Sequence, residues 1–246
     1  MIGRPLVINR TISPDDAMYQ GNLDHYFSCG ESALRVLLSA INLAAVPQPR
    51  RILDFGAGAG RVTRWLQAAF ADSRIHACDF RPQDMEFLRH TLGIESATVD
   101  RDVDLLALPG GFDLIWVGSV VTHLEERRTR TLVQRLLAAC NPGGLLAVSF
   151  HGRYAMERQE RGGFRYIHDE GWQEIVSGYS TGGYGYADYQ GQVAYGISVC
   201  SPRWFAQLTE SLDTVKLVLL SERAWDGHHD VIVLQRGDAR GSDQLI

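Results

Sequence analysis

The stretch LDFGAGAGR, residues 53–61, decides how this chain is read. An apolar run ends in Asp54, and glycines follow at positions 56, 58 and 60. Glycine accepts positive φ and lets the backbone approach a ligand closely, so glycines between a strand and a helix turn amide groups toward a bound molecule. A mononucleotide-type crevice follows, with Asp54, Gly56, Ala57, Gly58 and Gly60 as candidate binding residues. The dinucleotide fingerprint Gly-x-Gly-x-x-Gly would place its third glycine at Arg61. The spacing found here is Gly-x-Gly-x-Gly, which disfavours an NAD-dependent oxidoreductase.

Working outward, short apolar runs alternate with amphipathic stretches between residues 51 and 150, the rhythm of a parallel sheet covered by helices. Strands are expected at 51–55, 74–79, 112–118 and 145–150, each apolar on consecutive residues as a strand buried on both faces must be. Val62, Trp65, Leu66, Ala69 and Phe70 recur at helical spacing, as do Leu132, Val133, Leu136, Leu137 and Cys140. Thr122 and Glu125 have capping-box spacing, so the second of these helices should begin near His123 and stop at Asn141-Pro142-Gly143-Gly144. Ser28 and Glu31 form a second capping box, ahead of a helix carrying Leu34, Leu37, Leu38 and Ile41. Residues 214–221 and 230–236 read as an antiparallel pair at one side of the sheet.

With its order of motifs, the chain resembles the class I S-adenosylmethionine-dependent methyltransferases across roughly residues 50–152, and its final strand pair matches their usual ending. The resemblance implies an α/β, Rossmann-like fold: a mostly parallel seven-stranded sheet, an antiparallel C-terminal strand and helices on both faces. It also implies S-adenosylmethionine as cofactor and S-adenosylhomocysteine as product. Asp79, about 25 residues beyond Asp54, would hold the ribose hydroxyls, and Phe80 would lie against the adenine. The acidic segment at 99–116 fits the third strand and the adenine-edge contact, with Asp100 and Asp102 both open as partner. Gly118 and Ser119, after the fourth strand, complete the cofactor set. Tyr26, in the N-terminal helices, reads equally as part of a cap over the cofactor or as ordinary packing.

One domain over 1–246 is expected, with a helical cap at 11–46, a cofactor-binding core at 50–151, an insertion or lid at 152–200, and a C-terminal helix and strand pair at 201–236. Periodicity breaks down within the insertion. Its Tyr154, Tyr166, Trp172, Tyr179, Tyr184, Tyr186 and Tyr189, mixed with Arg153, Arg158, Arg161 and Arg165, could wall an acceptor site.

Methyl transfer needs alignment and exclusion of water more than covalent catalysis. A hydroxyl acceptor adds a role for a base, and His123 and His151 each follow the carboxyl end of a strand facing the crevice. Each also has a plainer reading, His123 as a helix-start residue bonded to backbone and His151 as lining of the cofactor pocket. Asp226-Gly-His-His-Asp230 invites a metal, but adjacent histidines entering a strand should point to opposite faces, so no metal is expected. Ser119 stands where metal-dependent relatives carry acids, which argues the same way. The SVVTHL, HG and GHHD features are similar to a bacterial subgroup associated with glycan and cell-surface polysaccharide synthesis.

The expected activity is therefore methyl transfer to a small-molecule or glycan acceptor, at oxygen, with a noncatalytic cofactor-binding module as the alternative. A net charge of -5 with interspersed signs gives no basic field for nucleic acid or an anionic membrane. The four cysteines are scattered and the sequence has no long apolar run, which fits a cytoplasmic protein.

Overall fold

The computed structural model describes residues 6–237. The first strand, β1 (Arg51–Phe55), lies between β2 (Arg74–Asp79) and β4 (Phe112–Val117), parallel to both. Beyond β2 stands β3 (Glu95–Thr98), and beyond β4 stand β5 (Cys140–Phe150), β9 (His229–Arg236) and the edge strand β8 (Val215–Trp225). The sheet order is β3-β2-β1-β4-β5-β9-β8, and β9 runs antiparallel to both its neighbours. This is the mostly parallel seven-stranded sheet that the motif order implied, with one strand reversed.

Both faces of the sheet are covered, which is why its central strands are apolar without alternation. On one face Leu53, Phe55, Ile115, Val117, Leu146, Val148 and Phe150 pack against α4 (Glu126–Ala139) and α7 (Pro202–Glu210). On the other face Ile52, Leu114, Trp116, Leu145 and Ala147 meet α1 (Leu23–Leu43), α2 (Thr63–Ala69) and α3 (Pro82–Thr91). Among the described residues no helix is long and apolar enough to cross a membrane. All four cysteines are free and buried.

Several boundaries differ from the sequence expectation for identifiable reasons. Helix α1 begins at Leu23, because the Asn22 side chain accepts from the His25 amide. The Ser28 hydroxyl instead donates to the His25 carbonyl inside the helix, so the Ser28/Glu31 pair caps nothing. Helix α4 begins at Glu126 after a 3-10 turn at Val121–His123, and Thr122 faces Ser119 rather than capping. The third strand is Glu95–Thr98, upstream of the acidic segment, which forms the loop leading to β4. That four-residue strand lacks an apolar run because it is an edge, and edges need no burial on both faces.

The segment between residues 152 and 200 is also more ordered than its composition suggests. It holds α5 (Arg153–Glu160), α6 (Asp169–Gly182) and a hairpin of β6 (Tyr184–Asp188) with β7 (Gly196–Cys200), packed around Ile167, Ile175, Ala187, Ile197 and Val199. Gly185 and Gly178 explain why the helical and strand periods were hard to see. A Cβ at Gly185 would lie 2.0 Å from the Ile175 carbonyl oxygen and one at Gly178 2.7 Å from that of Tyr184, so glycine there serves close packing of α6 on the hairpin.

Candidate active site

At the carboxyl ends of β1, β2 and β4 the chain encloses a cavity of about 760 Å³, within the range of small-molecule sites. Its floor is the glycine turn. Gly56, Gly58 and Gly60 have φ of 76°, 52° and 84°. The amides of Gly56 and Ala57 donate to the Cys78 carbonyl, and the Gly58 amide donates to Asp79 Oδ2 at 3.0 Å. The other oxygen of Asp79 accepts from the Arg81 amide at 3.1 Å, so the carboxylate is fixed at the tip of β2.

The glycines divide the work. A Cβ at Gly56 would lie 2.3 Å from Val120 Cγ2 and one at Gly60 2.5 Å from Leu88 Cδ2, whereas one at Gly58 meets no protein atom within 4 Å. Gly58 therefore leaves space on the cavity side. Gly60 faces α3 and is not among the residues that line the cavity.

Asp54, Gly56, Ala57, Gly58, Asp79, Phe80, Asp100, Asp102, Gly118 and Ser119 all line the cavity. The Asp54 carboxylate accepts from Thr63 Oγ1 at 2.7 Å, and burial pushes its pKa up to about 7 against the pull of that hydroxyl. Phe80 is partly exposed at the rim with the Arg101 guanidinium 4.0 Å above its ring. Asp100 and Asp102 stand together there, the Asp102 amide donating to Asp100 Oδ1. Ser119 adopts φ 57°, a left-handed conformation costly for a side-chain-bearing residue, held by its amide donating to Ser149 Oγ at 2.8 Å.

The two histidines part company. His123 lines the cavity, with Nδ1 2.8 Å from the Gly196 carbonyl and its ring stacked on Tyr195 at 5.1 Å. That carbonyl requires a proton on Nδ1, which leaves Nε2 with the lone pair. Burial pushes the His123 pKa below its ordinary value, so the ring is neutral at neutral pH. His151 does not line the cavity. It is 5% exposed behind the wall, between His228, His229 and Tyr166, with burial lowering its pKa to about 3. Tyr26 is also outside the lining: it is buried, and its hydroxyl donates to Asp16 Oδ2 at 2.6 Å, while Asp16, Ala17 and Met18 themselves reach the cavity.

The remaining wall comes from residues the sequence reading did not single out. Trp116 and Trp225 meet edge to face at 5.2 Å, and Arg61 lies 5.5 Å above Trp225. Gln192–Tyr195, in the turn of the β6/β7 hairpin, line the cavity together with Arg127 and Arg128. None of the seven insertion aromatics named above lines the cavity. Tyr184, for example, is buried with its hydroxyl donating to the Leu124 carbonyl.

The site fits a nucleoside cofactor bearing an amino-acid tail. It offers fixed carboxylates, a backbone turn cleared of side chains and the Trp116 Nε1 donor, which is buried at the wall without a partner among the described residues. Residues 53–146 match the family model described as a methyltransferase domain. A 108-residue stretch is 29% identical to trans-aconitate 2-methyltransferase of Rhodopseudomonas palustris (strain BisB18), covering 43% of this chain and 41% of that one. The match thus spans less than half of that relative.

Among solved structures, the 1,6-didemethyltoxoflavin-N1-methyltransferase of Burkholderia thailandensis, with its namesake ligand and S-adenosylhomocysteine bound, superposes with a TM-score of 0.58. It is 18% identical, over 86% of this chain and 80% of that one. The N-methyltransferase NodS of Bradyrhizobium japonicum WM9, in complex with S-adenosylhomocysteine, gives a TM-score of 0.58 at 17% identity, over 92% and 94% of the two chains. The chain has the class I S-adenosylmethionine-dependent methyltransferase fold.

Proposed function

We propose that the chain transfers a methyl group from S-adenosylmethionine to a small-molecule or glycan acceptor, at oxygen, with His123 as the base. The observation that carries this reading is one continuous cavity running from the glycine turn and Asp79 to a neutral histidine whose Nε2 is free to take a proton. When bound, the cofactor supplies an electrophilic methyl on a sulfonium. Asp79 would hold the ribose, Phe80 with the Arg101 guanidinium on its ring would lie beside the adenine near Asp100 and Asp102, and Gly58 would leave room for the ligand against the turn. The acidic lining of Asp54 and Asp79 suits the positive charge of sulfonium and ammonium groups.

In the proposed reaction the acceptor oxygen forms a bond to the methyl carbon as the carbon–sulfur bond breaks, leaving S-adenosylhomocysteine, and the hydroxyl proton passes to His123 Nε2. Tyr195 and Gln192, near Arg127 and Arg128, offer an aromatic face and hydrogen-bonding groups suited to a hydroxylated ring. His151, shut away from this cavity, is replaced by His123 as the proposed base.

The test is an acceptor screen that reads S-adenosylhomocysteine formation with carbon-13-labelled methyl donor, followed by NMR of the product. A labelled methyl at the chemical shift of an ether or ester supports the proposal, and one on nitrogen or carbon overturns its oxygen chemistry. Calorimetry in parallel checks the cofactor. Failure to bind S-adenosylhomocysteine would remove the whole reading, whereas binding without turnover across the screen would favour a noncatalytic module.

A further inference from the structure

Behind the cavity wall, His151 converges with His228 and His229, the adjacent pair that the sequence reading expected to point to opposite faces. His228 belongs to the turn between β8 and β9, so only His229 obeys the alternation of the strand. The two rings consequently lie on the same side, with centroids 4.6 Å apart, and the His151 ring is 5.5 Å from His228 and 4.9 Å from His229. One ring nitrogen from each of the three lies within 4.8 Å of the others. We propose that His151, His228 and His229 form a binding site for a divalent transition metal of the zinc class, outside the cavity assigned to cofactor and acceptor. This inference does not depend on the methyltransfer reading.

The hydrogen bonds around the cluster favour ligation. His151 Nδ1 stands 3.3 Å from the Ser198 carbonyl, which demands a donor and so turns Nε2 into the lone-pair nitrogen. Metal-bound histidines are commonly fixed in this way, by a backbone carbonyl on the other ring nitrogen. His229 Nδ1 is shut off from solvent without a partner among the described residues. A buried nitrogen left unpaired carries a desolvation cost that a ligand would relieve. His228 Nδ1 already faces a cation, the Arg158 guanidinium at 3.1 Å, while its Nε2 stands 3.0 Å from the Tyr166 hydroxyl. A metal ion would take the position of Arg158 on Nδ1, leaving Tyr166 on Nε2 as an outer-shell partner.

Three imidazoles with an open fourth position form a ligand set that suits zinc. Tetrahedral bonds of 2.0–2.1 Å place ligand nitrogens about 3.3 Å apart, so binding draws the rings inward and turns His151 and His229 out of their stack. The site joins the end of β5 to the β8/β9 turn, and His229 packs at 4.8 Å on Trp225, which lines the cavity. Occupancy would thereby fix one wall of the cavity without supplying a reacting group.

The test uses the full chain free of any polyhistidine tag, stripped with chelator and titrated with Zn2+ alone by calorimetry. Co2+ replaces Zn2+ in a second titration read by visible absorption. The expected result is one Zn2+ per chain with a dissociation constant of about 1 µM or below, and a Co2+ spectrum of four-coordinate type. His228→Gln, in the half-buried turn, should weaken binding about 100-fold, and His151→Gln should do the same. Arg158→Ala should tighten it about 10-fold by removing the competing cation, a response that scattered surface histidines would not give. His90→Gln, exposed in the last turn of α3, is the control and should bind as the parent does. If the parent chain takes up no stoichiometric Zn2+, or if His228→Gln and Arg158→Ala both leave the affinity unchanged, the proposal is overturned.

Discussion

Two glycines of the same turn should respond oppositely to the same substitution. At Gly58, φ is 52° and an added methyl meets no protein atom within 4 Å. Gly58→Ala then costs only the left-handed backbone, about 1 kcal/mol, which for a chain of this size lowers Tm by about 3 °C. Its methyl instead occupies the space beside Asp79 where the ligand approaches. Overpacking of about 1–3 kcal/mol in the complex translates to about a 5- to 150-fold loss of S-adenosylhomocysteine affinity.

At Gly60, φ is 84° and the methyl would lie 2.5 Å from Leu88 Cδ2 and 3.1 Å from Leu92 Cδ1, both in the core beneath α3. Backbone strain and overpacking together cost about 3 kcal/mol, or about 10 °C in Tm, and whatever fraction remains folded should bind normally. Thermal unfolding and calorimetry on both variants decide the matter. A Gly58→Ala protein that binds as tightly as the parent, or a Gly60→Ala protein of unchanged Tm, refutes the assignment of one glycine to the ligand and the other to packing.

Asp79→Ala removes both the proposed ribose contact and the acceptor of the Gly58 amide. With charge-assisted hydrogen bonds at about 1.5–3 kcal/mol, it should weaken S-adenosylhomocysteine binding by about 10- to 150-fold, measured by calorimetry. His123→Gln should lower turnover by about 100- to 10,000-fold while cofactor affinity is retained; unchanged turnover would exclude His123 as base. Asp54, raised by burial from 3.8 to about 7, binds its proton more tightly folded than unfolded. Its contribution to stability is therefore fully present below about pH 4 and fades as pH rises through 7, a change on the order of 4 kcal/mol that Asp54→Asn should abolish in denaturant titrations. Because the sulfonium favours an ionised neighbour, affinity for S-adenosylmethionine should rise with pH through about 7 more steeply than affinity for S-adenosylhomocysteine, which lacks that charge.

The parallel core was legible because burial on both faces writes itself into sequence as consecutive apolar residues: RILDF, RIHACD and FDLIWV became β1, β2 and β4. Capping was less legible because the same residue types serve other bonds. Thr122 turns its hydroxyl toward Ser119, and Ser28 bonds within the helix that Asn22 had already begun. The insertion hid its elements because its core is small and its close contacts use glycine, which carries no period to read. Its tyrosines looked like a binding wall by composition, but a tyrosine can be buried wherever its hydroxyl finds a carbonyl, as Tyr184 does at Leu124.

The same distinction separates the parts of the site. Asp54, Gly58 and Asp79 sit at fixed offsets from strand ends, and the sheet alone places them, so sequence spacing was enough. The remaining wall is assembled by contacts between segments distant in the chain. His123 is oriented by the Gly196 carbonyl, 73 residues away, and Trp225 donates its Nε1 proton to the Cys29 carbonyl, 196 residues away. No local pattern encodes such pairings. For the histidines the consequence was decisive: His123 and His151 are equivalent by their positions after strands, yet the β6/β7 hairpin holds one in the cavity while the β8/β9 turn helps enclose the other. The half of the cavity assigned to the cofactor thus follows from the sheet, and the half left for the acceptor follows from what the insertion and the C-terminal turn place over it. Acceptor selectivity should accordingly respond to changes at Gln192–Tyr195 with little change in cofactor affinity. Substitutions there that weaken S-adenosylhomocysteine binding as much as Asp79→Ala does would show that the two halves are not separable.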